Sequence, residues 1–171
     1  MKRLIGLLAL VVLIVTLLAA PASALRPDRF KPGPNPDLVV EDVCEFPVLL
    51  HDVVNNVAVT DFFDKDGNLV REHGSGLLVE QMTRLDDQNA PVKTITRNIS
   101  GPGTNTFDED GVNLVATGVW LFFFFPDEVE GYPNGLIWLT TGRFVWRFND
   151  VGPSTLVSHT GTYEDVCALL A

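Results

Sequence analysis

Three similar segments divide the chain and constrain its fold more than any other feature of the sequence. Residues 63–70, 107–115 and 148–157 each contain an aromatic residue, a cluster of Asp or Asn, a Gly and a return to aliphatic residues. Asp and Asn tolerate turn dihedrals and hydrogen-bond their own backbone, and Gly accepts the positive φ of a tight turn. The segments therefore predict three hairpins, each of which joins two antiparallel strands.

The runs around these turns are rich in β-branched and aromatic residues, which favour strands. The predicted strands cover residues 53–63, 69–73, 76–85, 92–100, 112–125, 136–148 and 155–163. A helical turn or two is expected only at residues 164–171. We therefore predict an all-β domain. An antiparallel β-barrel, closed or nearly closed, is favoured because two neighbouring strands are long enough to tilt, and a two-sheet β-sandwich is the alternative.

Two of the long strands distribute their apolar residues differently. In strand 136–148 one face carries Thr141, Arg143 and Arg147. The opposite face carries Leu136, Trp138, Phe144, Trp146 and Phe148. Segment 119–125 is instead apolar on both faces, so its outer face needs a cover. The candidates for that cover are the Pro-rich segment near the N-terminus, the C-terminal tail, a partner chain or a surface.

The first 24 residues have the layout of a secretory signal peptide. Lys2 and Arg3 precede an apolar run over residues 4–20, and Ala22 and Ala24 place small residues at a cleavage site. We predict an N-terminal signal helix that is removed after Ala24, and a protein secreted to the extracellular space. The alternative is an uncleaved N-terminal segment that tethers the protein to the membrane.

The stretch after the predicted cleavage site differs in composition from the rest of the chain. Residues 25–41 contain four prolines and several charged residues with little apolar content. Such a stretch is typical of an extended or disordered linker. We predict a Pro-rich spacer over residues 25–41 and a single β domain over residues 42–171.

The chain contains two cysteines, Cys44 and Cys167, near the two ends of the predicted domain. In an exported chain, two cysteines most simply form one disulfide. A crosslink that closes so long a loop stabilises the folded state by about 4–5 kcal/mol on the chain-entropy model. Two free buried thiols are the alternative.

The formal net charge of −10 limits the classes of partner. A strongly acidic surface repels nucleic-acid phosphates and anionic lipid headgroups. We therefore expect no nucleic-acid partner and no stable membrane insertion after signal cleavage. We expect no cofactor. The sequence leaves the partner open, with a small apolar ligand or a surface partner as the candidates.

Two of the turns contain clustered carboxylates, like the start of a calcium loop. Asp64 and Asp66 lie in the first turn, and Asp108 and Asp110 lie in the second. Neither segment has the Glu that an EF-hand loop requires at its twelfth position. We interpret both as hairpin turns and predict no metal site, with these four carboxylates as the remaining candidates for Ca²⁺ ligands.

Catalytic signatures are missing from the sequence. Ser75 lies between two glycines but lacks the context of a nucleophile elbow, so residues 74–76 are predicted to be a tight connection between strands. His159 is the one acid–base candidate, although a structural histidine is the favoured interpretation. We therefore assign no catalytic residue.

Aromatic residues are concentrated in two strands that we expect to pair. Core packing is the favoured interpretation because aromatic rings dominate the buried area of small β domains. The alternative is the wall of an apolar cavity, which a barrel of about eight strands can enclose. The ligand-lining candidates are then Trp120, Phe122, Trp138, Phe144 and Trp146.

These observations leave three hypotheses for function. The first is an exported, non-enzymatic protein that binds a small apolar ligand. The second is a cavity-type barrel enzyme, such as a cyclase or isomerase, with His159 as its acid–base group. The third is a cell-surface interaction module modulated by Ca²⁺ at the acidic turns.

The two ends of the predicted domain contain short motifs. Cys44-Glu45-Phe46-Pro47 opens the domain, and residues 165–170 (Asp-Val-Cys-Ala-Leu-Leu) close it. With the F-D-x-D-G-N-L turn at residues 63–69, they resemble a group of small secreted β-rich proteins of high-GC Gram-positive and related bacteria. The resemblance implies a secreted β-barrel-like protein with paired terminal cysteines. It implies no function and no site residue.

Overall fold

The computed structural model describes residues 25–171, so the predicted signal peptide lies outside the described residues. Within them the chain forms nine strands and one short helix. The strands are β1 (Asp28–Phe30), β2 (Leu38–Val40), β3 (Val48–Phe63), β4 (Leu69–Leu85), β5 (Pro91–Asn98), β6 (Gly103–Asp108), β7 (Gly111–Phe124), β8 (Leu136–Asn149) and β9 (Thr155–Asp165), followed by α1 (Val166–Leu170).

All nine strands belong to one antiparallel sheet, which confirms the predicted all-β class. The strand order is β1-β3-β4-β6-β7-β8-β9, with β2 also on β3 and β5 also on β4. Within the described part of the chain, no ladder joins β9 back to β1. The sheet is therefore open, and the predicted closed barrel is not confirmed.

The three predicted hairpins are confirmed, and side-chain hydrogen bonds shape their turns. Between β3 and β4, the Asp64 carboxylate accepts from the backbone N–H of Asp66 at 2.8 Å and of Asn68 at 2.9 Å. Gly67 supplies the positive φ, at 89°. The hairpins β6–β7 and β8–β9 use the second and third Asp/Asn and Gly segments. Local turn chemistry therefore sets these connections.

The prediction of a tight connection at residues 74–76 is wrong, because β4 runs through it as one strand. Residues 71–74 of β4 pair with β6, whereas residues 79–85 pair with β5. Gly76 lies where the pairing partner changes and has φ 151°. A Cβ at Gly76 would collide with the carbonyl oxygen of Asn56 on β3. Gly76 therefore allows a close backbone approach where β4 changes its pairing partner.

The predicted spacer also differs from the structure. Both β1 and β2 lie within residues 25–41 and pair with β3. Val40 of β2 is fully buried, so core residues begin before the predicted boundary at residue 42. Because β3 is 16 residues long, its free edge can accept two short strands in succession.

One core is formed by residues of strands β2, β3 and β4, by Ile99 directly after β5, by strand β8 and by helix α1. Its buried members are aliphatic: Val40, Val48, Leu50, Met82, Ile99, Ile137, Leu139, Val166 and Leu170. Strand β8 is hydrogen-bonded only to β7 and β9. Its residues Ile137 and Leu139 nevertheless pack against residues of β3 and β4. The sheet therefore curls so that its two ends face each other.

A second, aromatic core covers the opposite face of β8. It contains the buried residues Leu114, Ala116, Phe122, Phe124, Val129, Leu136, Trp138, Phe144 and Trp146. The predicted apolar face of β8 is confirmed by the burial of Leu136, Trp138, Phe144 and Trp146. The first residues of β8 are buried on both faces of the strand. The sequence pattern predicted one of these faces to be more exposed to solvent, but the aliphatic core covers it.

A disulfide joins Cys44 to Cys167, with a Cα–Cα distance of 5.4 Å. Such a bond is characteristic of proteins in oxidising compartments. The predicted C-terminal helical turn is present as α1, where the Asp165 carboxylate accepts from the Cys167 N–H at 2.8 Å as an N-cap. None of the helices in residues 25–171 is long and apolar enough to cross a bilayer.

Candidate functional site

A pocket of about 430 Å³ opens between residues 35–38, strands β3 and β4, and the end of β7. Most of its wall is apolar. The apolar lining residues are Pro36, Leu38, Leu50, Leu78, Ile99, Leu121 and Phe123. The polar lining residues are Asn35, Asp37, Asp52 and Glu80. Apolar walls with a few convergent polar groups are the usual composition of a small-molecule site.

Two carboxyl groups lie opposite each other in this pocket, and we call them the acid pair. Asp52 on β3 and Glu80 on β4 are direct partners in the antiparallel register, so both side chains project from the same face of the sheet. The register shifts at Val53, directly after Asp52. Glu80 is only 6% exposed, which is unusual for a carboxyl group.

The two members of the acid pair differ in their hydrogen bonds. Oδ2 of Asp52 accepts from the Asn35 backbone N–H at 2.8 Å, from Asn35 Nδ2 at 3.1 Å and from Asn55 Nδ2 at 2.8 Å. Glu80 shares a hydrogen bond with Asp52, but no N–H or hydroxyl of another described residue donates to it. Asp52 is therefore stabilised as an anion, whereas Glu80 is not.

These surroundings move the two pKa values apart. Burial, followed by the hydrogen bond to Asp52 and the negative charges of Asp52 and Asp37, raises the pKa of Glu80 to about 8. Burial alone would raise the pKa of Asp52, but the hydrogen bonds from Glu80, Asn35 and Asn55 outweigh it and lower that pKa. At neutral pH the pair therefore holds one proton, on Glu80.

A second polar contact lies at the rim of the pocket. Nδ1 of His51 is 2.6 Å from Oδ1 of Asp37, and both side chains are about half exposed. Together with the Asn35–Asp52 hydrogen bonds, this contact attaches the segment before β2 to β3. The pocket rim is thus held by polar contacts rather than by apolar packing.

The pocket also identifies the cover of the doubly apolar segment 119–125. Leu121 and Phe123 of β7 line the pocket together with Pro36 and Leu38. The Pro-rich segment is therefore part of the cover, one of the alternatives left open by the sequence. Phe123 remains 37% exposed, so this cover is incomplete and the cavity stays accessible.

The aromatic candidates for ligand lining lie elsewhere. Phe122, Phe144 and Trp146 are buried in the aromatic core, where the Phe122 and Trp146 ring centroids are 5.5 Å apart. Trp120 borders a small cavity of about 170 Å³, and Trp138 borders a cleft of about 530 Å³ beside the disulfide. None of the five lines the acid-pair pocket, and their role in ligand binding stays a prediction.

The cleft beside the disulfide is larger than the acid-pair pocket, but its carboxyl groups are less suited to ligand binding or catalysis. Its one carboxylate with a defined hydrogen-bonding role, Asp165, is the N-cap of α1. Glu45 also lines it and is solvent-exposed. For this reason the smaller acid-pair pocket is the better candidate.

His159, the acid–base candidate of the sequence, lies on β9. Its ring is stacked on Phe144 with a centroid distance of 5.2 Å. Phe144 belongs to the aromatic core, whereas Leu50 and Met82, which flank the acid pair along β3 and β4, belong to the aliphatic core. The structure therefore does not bring His159 together with Asp52 and Glu80.

The four carboxylates considered as Ca²⁺ ligands lie in the hairpin turns. Asp64 is engaged by Asn68 and by turn backbone N–H groups, and Asp108 receives two hydrogen bonds of 2.6 Å from Arg147. Asp66 and Asp110 are exposed turn residues whose backbone N–H groups bond these carboxylates. Among the described residues, no group of three or more His, Cys, Asp or Glu side chains is arranged to hold a metal ion.

The acid pair is not among the residues predicted from the sequence, although the sequence contains one signal for it. Along β4, Leu78, Glu80 and Met82 alternate with residues of the other face, so Glu80 occupies a position in phase with buried apolar side chains. A carboxyl group in such a phase is a candidate for a perturbed pKa. Its partner Asp52 could be identified only once the β3–β4 register was known.

Comparison with known proteins adds no further information about this pocket. No protein-family model, no curated protein and no solved structure matches the chain. The resemblance to small secreted β-rich bacterial proteins stays a prediction, and the function has to be argued from the geometry of the acid-pair pocket.

Proposed function

We propose that this protein is exported and binds a small amphipathic molecule in the acid-pair pocket. The observation that carries the proposal is Glu80, a carboxyl group buried in an apolar cavity without a donor other than the Asp52 carboxyl. Burying an acid this way costs folding free energy, and such costs are concentrated at functional sites. Binding of a ligand that uses the acid offsets that cost.

The shape of the pocket supports a ligand with one apolar and one polar end. The aliphatic side chains and Phe123 form the wall, and the acid pair lies on the β3–β4 surface between them. An apolar body would lose contact with water against the wall. Its polar end would fix the orientation by hydrogen bonding to the carboxyl groups.

A dye-binding experiment tests this proposal. Nile red, a neutral hydrophobic dye, is expected to bind the purified protein saturably, and Leu121→Trp is expected to abolish binding by filling the pocket. Val157→Trp is the matched control, because Val157 is 58% exposed on β9. Equal binding by the wild type and Leu121→Trp would overturn the proposal. Loss of binding in Trp138→Ala alone would assign the ligand to the cleft beside the disulfide.

The acid pair also supports a second candidate, an enzyme that moves a proton within a substrate. An ionised Asp52 beside a protonated Glu80 resembles the pairing of base and acid in enzymes that use two carboxyl groups. Asp52 would take a proton from one substrate atom while Glu80 gives a proton to another, and exchange between the two carboxyls would restore the pair.

Substitutions separate this candidate from the histidine hypothesis. If the protein is such an enzyme, Asp52→Asn and Glu80→Gln abolish turnover and His159→Ala leaves it unchanged. Full turnover in Glu80→Gln would exclude the acid pair as the catalytic group. Loss of turnover in His159→Ala alone would favour the original histidine hypothesis.

A further inference from the structure

We infer that the ligand of the acid-pair pocket is an amine-headed amphipathic molecule whose ammonium group lies against both Asp52 and Glu80. This inference rests on the proposed binding function and specifies its ligand class. It is argued from the charges around the pocket, from the hydrogen-bonding capacity of the acid pair and from the apolar wall.

The charged groups that face the acid pair are predominantly acidic. Asp37, in the segment before β2, contributes a third carboxyl to the pocket lining. His51 on β3 is directed to Asp37. Arg97 on β5 is opposite Glu80 in the register, but its guanidinium donates to the Thr96 carbonyl at 3.1 Å. No Lys or Arg among residues 25–171 forms an ion pair with Asp52 or Glu80.

The hydrogen-bonding capacity of the pair matches an ammonium group. Oδ2 of Asp52 is already occupied by Asn35 and Asn55. Apart from the hydrogen bond that the two carboxyls share, Oδ1 of Asp52 and both oxygens of Glu80 receive no donor from the described residues. An ammonium group supplies three donors and one positive charge. It therefore satisfies these acceptors and offsets one of the two negative charges that the pair carries once both carboxyls are ionised.

The apolar wall distinguishes an amine-headed molecule from other ligands. A free metal ion would gain nothing from Leu50, Leu78 and Leu121, and a carboxylate or phosphate headgroup would be repelled by the acid pair. A neutral alcohol could bind the wall but would not compensate the charge on Asp52 and Glu80. Only a cation with an apolar tail uses both parts of the pocket.

Binding of an amine should be linked to the release of a proton. Below the Glu80 pKa of about 8, the free pair holds a proton that the ammonium replaces. The affinity for an amine is therefore expected to rise by about tenfold per pH unit between pH 6 and pH 7 and to level off above pH 8. The affinity for a neutral ligand of the same chain length should not depend on pH in this way.

Isothermal titration calorimetry of the purified protein with octylamine, octanol and octanoate tests the inference. Octylamine is expected to bind at least about tenfold more tightly than octanol at pH 7, and octanoate more weakly than octanol. Titrations at pH 6.5 in two buffers of different ionisation enthalpy are expected to show release of about one proton per bound octylamine.

Glu80→Gln keeps the size of the side chain and removes its proton. This variant is expected to lose the proton release and the pH dependence while it still binds octanol. Glu72→Gln on the same strand, outside the pocket, is the matched control and should behave as the wild type. Should Glu80→Gln not fold, Asp52→Asn is the second variant: it removes the hydrogen bond and the charge of Asp52 that help to raise the pKa of Glu80, so proton release at pH 6.5 should be smaller than in the wild type.

The outcomes separate this inference from the proposed function. Equal binding of octylamine and octanol, without proton release, would overturn the amine inference and leave a neutral ligand in the pocket. Tighter binding of octanoate would overturn it as well. No binding of any of the three, together with no Nile red binding, would overturn both proposals. An unchanged pH dependence in Glu80→Gln would assign the linked proton to another group.

Discussion

Glu80 is an ionisable residue at a position of β4 that the fold buries. Its position in β4 is in phase with the half-buried Leu78 and the buried Met82, so strand pairing buries a carboxyl group that water would otherwise stabilise. The hydrogen bond with Asp52 compensates for part of this cost only while Glu80 is protonated. The free-energy cost of burying Glu80 therefore depends on pH.

The burial of Glu80 predicts how the free energy of unfolding depends on pH. The unfolded chain releases the Glu80 proton near its ordinary pKa of 4.5, whereas the folded protein keeps it to about pH 8. The contribution of Glu80 to the free energy of unfolding is thus fully present below pH 4.5 and is lost as pH rises to 8. Glu80→Gln changes the free energy of unfolding by an amount that depends on pH. This change should be more stabilising at pH 8 than at pH 5, by on the order of 3 kcal/mol.

Urea unfolding of the wild type and of Glu80→Gln at pH 5 and pH 8 measures this difference. The comparison between the two proteins cancels the contributions of the other titrating groups. If Glu80→Gln gave the same change in unfolding free energy at both pH values, Glu80 would titrate in the folded protein as it does in the unfolded chain.

Asp108 predicts the opposite dependence at acidic pH. The two hydrogen bonds from Arg147 lower the pKa of Asp108 to about 2, from an ordinary value of 3.8. Its contribution to stability is present above pH 3.8 and is lost as pH falls to 2. In Asp108→Asn the melting temperature should therefore be lower than that of the wild type at pH 6, and the two should converge near pH 2.

Thermal melts across this range test the prediction, with Glu109→Gln in the same turn as the control for a changed charge. A constant difference in melting temperature between the wild type and Asp108→Asn down to pH 2 would contradict it. Because both partners are near the surface, added salt should reduce the effect.

At the scale of the element, β4 is the strand that organises the sheet. It pairs with β3 along its length, with β6 in its first half and with β5 in its second half. Gly76 lies at the change of partner, where its backbone approaches that of Asn56. A side chain at this position is opposed both by the positive φ and by the contact with β3.

Two alanine substitutions in β4 form a matched pair. Gly76→Ala is expected to destabilise the protein by about 2 kcal/mol or more, since the Cβ would collide with backbone and the φ is strained. Gly74→Ala has open space around the added Cβ and should change stability by less than about 1 kcal/mol. Equal effects in chemical denaturation would show that the close approach at Gly76 does not limit stability.

Elements set by local chemistry could be predicted, and elements set by distant pairing could not. The Asp64 and Gly67 turn follows from its own residues. Strand β6 is short and follows Gly101 and Pro102, so its sequence alone does not indicate a strand. Strands β1 and β2 form because the edge of β3 is available to them, which is a property of β3 rather than of their own residues.

At the scale of the whole molecule, the acid-pair pocket is made from segments far apart in sequence. Asn35, Asp52, Glu80 and Leu121 meet because the sheet curls and because the N-terminal segment pairs with β3. The sequence contains each of these residues, but only the pairing register shows that they converge. The predicted disulfide, by contrast, followed from the number of cysteines and the predicted compartment.

The disulfide closes a loop that contains nearly the whole sheet, since its two cysteines have a sequence separation of 123. Its removal is expected to destabilise the protein by about 4–5 kcal/mol on the chain-entropy model. Denaturation of Cys44→Ala/Cys167→Ala against the oxidised wild type measures this loss. A difference below about 1 kcal/mol would show that the unfolded chain is already constrained without the crosslink.

The same bond determines how the molecule would respond to mechanical tension. If residues 25 and 171 were pulled apart, the covalent path would pass from Cys44 directly to Cys167, so the chain between the two cysteines could not be extended. The load would fall on residues 25–44, which are held to β3 by the short β1 and β2 ladders and by the contacts of Asn35 with Asp52 and of Asp37 with His51. Stretching would therefore detach Asn35 and Leu38 from the pocket and open it while the rest of the sheet stayed folded.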